Sequence, residues 1–291
     1  MLSQSLALMV VLTAGVIQAT PCAAAISSQT SPRPKTPQVR FSPRFAAPSQ
    51  QRPSPPADLA EAVVRKALTA YGGEAKILSF KDATFQYQVE SLEASAAKPV
   101  QMKAYFKDAN YFRSEVSGEG TDAVTILNRD KGWVKVADTT LSLSPKSVDP
   151  LKSAILSQLR PDLLLVSFQK FRYGGRSEEE GRKLDLVEVS GFLSGEYVRG
   201  RLSFDANTHL IYKYEFEIER ELPKGKGIVA GEEKYIRYME TEGLKIPAEV
   251  SSRQGRKTSR LIVGQASFSN VLDPALFQDP TPVPSTPASK P

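Results

Sequence analysis

The sequence predicts a mainly β fold of the α+β kind. It is a large, strongly curved antiparallel sheet with an N-terminal helix and a central helical lid or plug. Three observations predict it. Apolar and polar residues alternate with period two in about ten segments, the pattern of strands with one covered face. Short turn-forming stretches join most of these segments, which suits antiparallel neighbours. Helical spacing is confined to the start and the middle of the chain. A sheet of this size curls, and its inner face must be filled by the helices, by its own side chains or by a ligand.

The elements follow in order. Asp58 is a candidate helix cap with Glu61 three residues on. Ala60, Val63, Val64, Ala67, Leu68 and Tyr71 share one helical face, and Gly72-Gly73 ends the helix. Phe85, Tyr87 and Val89 then alternate with Gln86, Gln88 and Glu90; Val100, Met102, Ala104 and Phe106 do the same. "KDAN" and "NRDKG" are turns, Trp133–Val136 is a short strand and "TLSLS" another. Asp149 as cap and Pro150 at the first helical position open the central helices, Pro150 to Phe171, interrupted at Pro161. Leu151, Ile155, Leu156, Leu159 and Leu163 are their apolar residues. After an acidic loop at Glu178–Glu180, strands resume at Leu184–Val189 and Val198–Phe204, then past the turn "DANT" at Leu210–Arg220. Further strands are Tyr235–Met239, Ile246–Val250 and Thr258–Phe268, and "DPALF" closes with a turn of helix. The Leu210–Arg220 segment is the clearest: Leu210, Tyr212, Tyr214, Phe216 and Ile218 alternate with Lys213, Glu215, Glu217 and Glu219.

The termini have a different character. Leu6–Ile17 is apolar and precedes Ala23-Ala24-Ala25, which predicts a signal peptide over residues 1–25 cleaved after Ala25, although "MLSQS" carries no Lys or Arg. Cys22 is the only cysteine; Ala19 and Pro21 stand where a lipoprotein signal needs a Leu-like and a small residue, so a lipid anchor is not expected. The mature chain then lacks cysteine, which excludes a disulfide framework and a Cys-based metal site. Residues 26–57 hold eight prolines and five of the basic residues with no acid, and predict a disordered linker; 281–291 is a similar Pro-rich tail. The net charge of +6 belongs to these tails, because Lys290 supplies the sixth charge and Asp58–Pro280 is neutral. A nucleic-acid-binding domain would carry its basic patch on the fold itself, so that class is excluded. The basic linker remains a candidate for contact with an anionic surface.

Catalytic patterns are absent or misplaced. The single histidine, His209, stands beside the "DANT" turn, where it is expected to start a strand; there is no G-x-S-x-G and no phosphate-binding glycine loop. One histidine and no mature cysteine make a zinc site unexpected, and no cofactor is expected. Ser95-Ala96-Ala97-Lys98 matches S-x-x-K only in a hairpin loop before Pro99. Glu215, Glu217 and Glu219 lie on the wet face of their strand, where a solvated row is expected rather than paired glycosidase acids.

Several segments together carry a resemblance: "ALTAYGGEAKI", "GWVKV…LSLSP", "GRLSFDANTHLIYKYEFE", "METEGLKIPAEV" and "NVLDPALF". In order and spacing, over Asp58–Pro280, the chain resembles periplasmic lipoprotein-sorting carriers of the LolA type, although the proline-rich linker is not part of the simple carriers. The resemblance implies an incomplete β-barrel with helices as a lid over an apolar cavity that takes the acyl chains of a lipid or lipoprotein, with no enzymatic activity. Phe85, Tyr87, Met102, Phe106, Leu202, Phe204, Tyr212, Tyr214 and Phe216 are suited to line such a cavity. They are equally suited to form plain core beneath the helices. The central helices are the candidate lid, or a fixed plug. Two alternatives stay open: an envelope sensor module of the same fold that binds a protein partner, and a carboxylate-dependent hydrolase.

Overall fold

Ala60, Val64, Ala67 and Tyr71 recur at helical spacing and all four are buried, which seats the first helix, α1 (Ala57–Tyr71). The structure is a computed structural model describing residues 57–92, 98–108, 110–117, 122–193, 195–222 and 225–280. The expected signal peptide with Ala25, Cys22, the linker up to Pro56, the tail 281–291 and Ser95–Ala97 of the S-x-x-K match lie outside the described residues. Asp58, expected as the cap, stands inside α1, because the helix already includes Ala57. Gly72 and Gly73 end it at φ of 121° and 96°. A side chain on Gly72 would meet the Gly243 carbonyl oxygen at 2.4 Å, so the turn needs glycine for space as well as conformation. A short helix, α2 (Glu74–Ser79), follows, with Ile77 as its buried anchor.

Among the described residues all strands belong to one open antiparallel sheet. A first meander runs through β1 (Asp82–Ser91), β2 (Val100–Lys107), β3 (Tyr111–Ser117), β4 (Ala123–Asn128), β5 (Lys131–Val136) and β6 (Thr139–Leu143). The chain then crosses through α3 (Pro145–Leu159) and α4 (Asp162–Ser167). A second meander follows: β7 (Lys170–Glu179), β8 (Arg182–Leu193), β9 (Glu196–Asp205), β10 (Ile211–Leu222), β11 (Gly225–Thr241), β12 (Leu244–Gln254) and β13 (Lys257–Ser267). β1 pairs with β13, so the sheet order is β6-β5-β4-β3-β2-β1-β13-β12-β11-β10-β9-β8-β7. This is the curved, incomplete barrel the sequence predicts. Its two edges are β6 and β7, and α3–α4 is the stretch of chain that passes from one edge to the other. That connectivity places the central helices across the open side. A 3-10 turn at Pro274–Phe277, capped by Asp273 accepting from Ala275 N–H at 2.8 Å, closes the fold outside β3 and β4. Among the described residues no helix is long and apolar enough to cross a membrane.

Several expectations need correction. Among the described residues the sheet has 13 strands rather than about ten. β4 shows no alternation, because Ile126 packs outward under Leu272 and Phe277 while Leu127 packs inward, so both faces are covered. β7, an edge strand with two glycines, absorbs the end of the expected helix at Phe171 and most of the expected acidic loop; of the three glutamates only Glu180 stands in the turn, at φ 51°, followed by Gly181 at φ 74°. α3 starts at Pro145 rather than Pro150. Ser144-Pro145 offers the same cap-then-proline signal earlier, with Ser144 and Ser147 hydroxyls 2.8 Å apart, and Pro150 lies inside the helix. His209 sits in the β9–β10 turn at φ 59° instead of starting a strand.

The alternation of Leu210–Ile218 breaks at one point. A bulge between Ile211 and Lys213 turns Ile211 into the core and Tyr212 to the other face. Two distant tyrosines satisfy the bulge: Ile211 N–H donates to Tyr71 Oη (3.4 Å), and Tyr238 Oη donates to the Ile211 carbonyl (2.6 Å). Tyr71 and Tyr238 hydroxyls are 2.7 Å apart, and burial pushes both phenols above the usual range.

Candidate functional site: a cleft beneath the crossing helix

Helix α3 has two unlike buried sides. Val148, Leu151 and Leu159 belong to the main apolar core, and Val148 lies against Gly132 of β5. Toward β10–β12 the helix instead presents Ser153, Ala154, Ser157 and Gln158. Between that small, polar side and the sheet lies a cleft. Its floor is Leu193, Val198, Tyr214, Phe216 and Ile218 from β8–β10; Arg220, Ser252 and Gln254 stand around it, with Glu233 between. The cleft holds about 30 Å³, room for a water molecule or two and no acyl chain.

Glu233 is the unusual residue. It is a carboxyl 2 % exposed, on the inward face of β11 beside Tyr235, which is also 2 % exposed. Ser157 Oγ lies 2.8 Å from Glu233 Oε1 and 3.0 Å from the Ala154 carbonyl. Tyr235 Oη lies 2.9 Å from Glu233 Oε2 and 2.8 Å from the Ser157 carbonyl. These are four contacts through two hydroxyls, and each hydroxyl has one hydrogen. An ionised Glu233 leaves two of the contacts without a hydrogen; a proton on Glu233 supplies one of them. Burial acts in the same direction and pushes the Glu233 pKa up to about 7, against the hydrogen bonds from Ser157, Tyr235 and Gln158 that favour the charge. In its neutral form the acid latches α3 to β11. Arg220 at the rim does not offset this, since Glu196 holds its guanidinium through two hydrogen bonds.

The other end of the crossing helix is anchored. At the joint between α3 and α4, Arg160 (4 % exposed) donates from Nε to Asp162 Oδ1 (3.0 Å) and from a terminal nitrogen to Oδ2 (2.7 Å), and Asp162 is 1 % exposed. The same guanidinium reaches the Ile77 carbonyl of α2 at 3.4 Å and covers the Phe268 ring at 5.0 Å. The joint is fixed by charge and stacking; the serine side of α3 is fixed by the Glu233 group.

The structure brings the predicted site residues onto the inward face with one exception, but spreads them out. Tyr214 and Phe216 line the cleft. Phe85 and Phe106 stack edge to face at 5.7 Å in the sealed core, where Leu202 and Phe204 are also buried. Tyr87 is buried and Met102 half-buried beneath the first meander. Tyr212 is the exception: on the outer face its hydroxyl donates to Glu180 (2.9 Å), with Arg182 and Lys234 over its ring. Of the candidate lid residues, Leu151 and Leu159 are buried, and Ile155, Leu156 and Leu163 pack half-buried on the core. Glu215, from the row read as solvated, faces Arg201 at 3.9 Å. Sequence reasoning missed Glu233 and Ser157. The available signal was Glu233 two residues before Tyr235, a charge on the inward parity of a strand.

Phe216 lies flat on the facing Gly231, where a methyl group would meet its ring at 2.4 Å. Gly231→Ala is expected to push the ring into the cleft and cost about 1–3 kcal/mol in a urea titration; an unchanged midpoint would mean that the ring moves freely.

No family model matches the sequence, and no curated protein does. Among solved structures the chain is similar to an outer membrane lipoprotein-sorting protein domain from Vibrio parahaemolyticus: 10% identity, 76% of this chain and 97% of that one, TM-score 0.49. It is similar to a LolA superfamily protein from Nitrosomonas europaea at 11% identity, 76% and 97% coverage and TM-score 0.49. A DUF1329 family protein from Desulfovibrio piger gives 12% identity, 75% and 97% coverage and TM-score 0.47.

Proposed function

We infer that this chain is an exported, periplasmic binding protein that holds the acyl chains of a lipid or lipoprotein between α3 and the sheet, and that it catalyses no reaction. The observation that carries this reading is the asymmetry of α3. A plug built only for stability would bury large apolar side chains on both sides. This helix does so toward β5 and presents serine, alanine and glutamine toward an apolar floor of Val198, Tyr214, Phe216 and Ile218. The side over that floor is held to the sheet by the hydrogen bonds among Ser157, Glu233 and Tyr235 rather than by large buried apolar side chains, so little apolar contact is lost when it lifts. A chain that takes its place gains about 0.8 kcal/mol for each buried methylene. The Arg160–Asp162 joint then serves as the hinge, and release follows when a tighter acceptor takes the chain and α3 settles back.

The test is titration with 11-(dansylamino)undecanoic acid, whose emission shifts to the blue in an apolar site. Saturable binding by the wild-type chain is expected. Phe216→Asp, a charge placed in the cleft at a half-buried position, is expected to weaken it about tenfold or more. Absence of saturable binding would sink the reading and favour a module with a permanently filled core that binds a protein partner.

A further inference from the structure

Ser157 offers the sheet two oxygens. Its hydroxyl meets Glu233 Oε1 at 2.8 Å, and its carbonyl accepts from Tyr235 Oη at 2.8 Å. Glu233 and Tyr235 meet each other at 2.9 Å, so together they form a two-point polar receptor on an inward face that is otherwise largely apolar. The receptor is occupied in the closed structure. A ligand chain that displaces α3 also removes Ser157. Plain hydrocarbon in that place would leave a buried carboxyl and a buried phenol short of partners, a cost that opposes binding. A ligand that restores both contacts avoids it.

The connectivity of serine says what such a ligand looks like. The two oxygens are joined as hydroxyl, β-carbon, α-carbon, carbonyl. We propose that Glu233 and Tyr235 form a selectivity site for 3-hydroxyacyl chains, whose hydroxyl and carbonyl are joined through the same two carbons and take the places of Ser157 Oγ and O. This rests on the acyl-binding reading above and narrows it. The ester or amide carbonyl accepts from the Tyr235 phenol; the 3-hydroxyl exchanges a hydrogen bond with the Glu233 carboxyl; the rest of the chain runs along Tyr214, Phe216 and Ile218. The carboxyl works in its neutral form, in which it both donates and accepts. A chain without the hydroxyl, or with it at the far end, leaves Glu233 without that partner.

Three probes of one chain length separate the outcomes: methyl 3-hydroxydecanoate, methyl decanoate and methyl 10-hydroxydecanoate, each titrated against the whole protein by displacement of the dansyl probe. The 3-hydroxy ester is expected to bind about tenfold more tightly than the other two. In the double variant Glu233→Leu, Tyr235→Phe the preference is expected to vanish while binding of methyl decanoate persists. Tyr235→Phe alone, which keeps the ring in place, is expected to lower affinity for all three esters alike, because each has the carbonyl. Equal affinity of the wild-type chain for all three probes overturns the selectivity site and leaves the acyl-binding reading intact. Failure of all three to bind overturns both. A 3-hydroxy preference that survives the double variant overturns the assignment to Glu233 and Tyr235.

Discussion

Asp162→Ala is expected to destabilise the fold by about 3–5 kcal/mol, the cost of leaving a buried cation without its partner. Arg160 is 4 % exposed, and without Asp162 its guanidinium keeps the Ile77 carbonyl at 3.4 Å and the Phe268 ring. Neither neutralises it. Replacing both partners with apolar residues is a different experiment. Arg160→Met with Asp162→Leu is expected to fall within about 1–2 kcal/mol of wild type, or above it, because the desolvation of both charges is avoided. The two variants measured together by urea unfolding separate the worth of the pair from the penalty of breaking it. A cost below about 1 kcal/mol for Asp162→Ala would mean that water reaches Arg160 at little expense. The joint would then be mobile, and the hinge would have to lie elsewhere in α3–α4.

Parity along the strands made the sheet legible, and its failures have local causes. Phe85, Phe106, Leu202, Phe204, Tyr214 and Phe216 all stand on the inward face that alternation assigns them. Tyr212 does not, because the bulge sits among residues that are all apolar or aromatic, so no composition change marks it. What holds the bulge is Tyr71, 140 residues earlier, and Tyr238. Tertiary partners of that kind leave no trace in a window of ten residues. β4 was hidden for the opposite reason. The segment Leu272–Phe277 covers its outer face, so a strand buried on both sides shows no period.

The site was less legible than the fold. Composition pointed to the aromatic face, and the largest aromatic cluster proved to be sealed core. The cleft is defined by which side of α3 is small and polar, a property of Ser153, Ala154 and Ser157 that reads in sequence as a weak helix rather than as a lid. Its key group is one carboxyl at inward parity. Buried acids are rare enough that a glutamate two residues from an inward tyrosine is itself a signal.

Glu233 also makes stability depend on pH with a definite sign. Its pKa in the folded chain is about 7, against an ordinary value of 4.5 that the unfolded chain retains. Between those values the folded state holds a proton that the unfolded state has lost, so the slope of stability with pH is negative. The contribution is full below about pH 4.5, declines across the window, and is gone once pH has risen through about 7. At about 1.4 kcal/mol for each pH unit, the whole window amounts to about 3 kcal/mol. Other groups titrate here too, so the quantity to measure is the difference between wild type and Glu233→Gln in urea midpoints from pH 4 to 8. The amide cannot ionise. The variant is expected to gain on wild type steadily from about pH 5 and to lead by about 2–3 kcal/mol above pH 7. Parallel curves would mean that Glu233 titrates in the fold as it does in the unfolded chain and is ionised near neutral pH. Ser157 and Tyr235 would then share two hydrogens among four contacts, and the latch between α3 and β11 would be weakest where the chain is expected to work, near neutral pH. The expected separation of the curves ties the helix to the proton: α3 is held most firmly in mild acid and loosens as Glu233 ionises, so acyl exchange should quicken over the same pH range in which the stability difference appears.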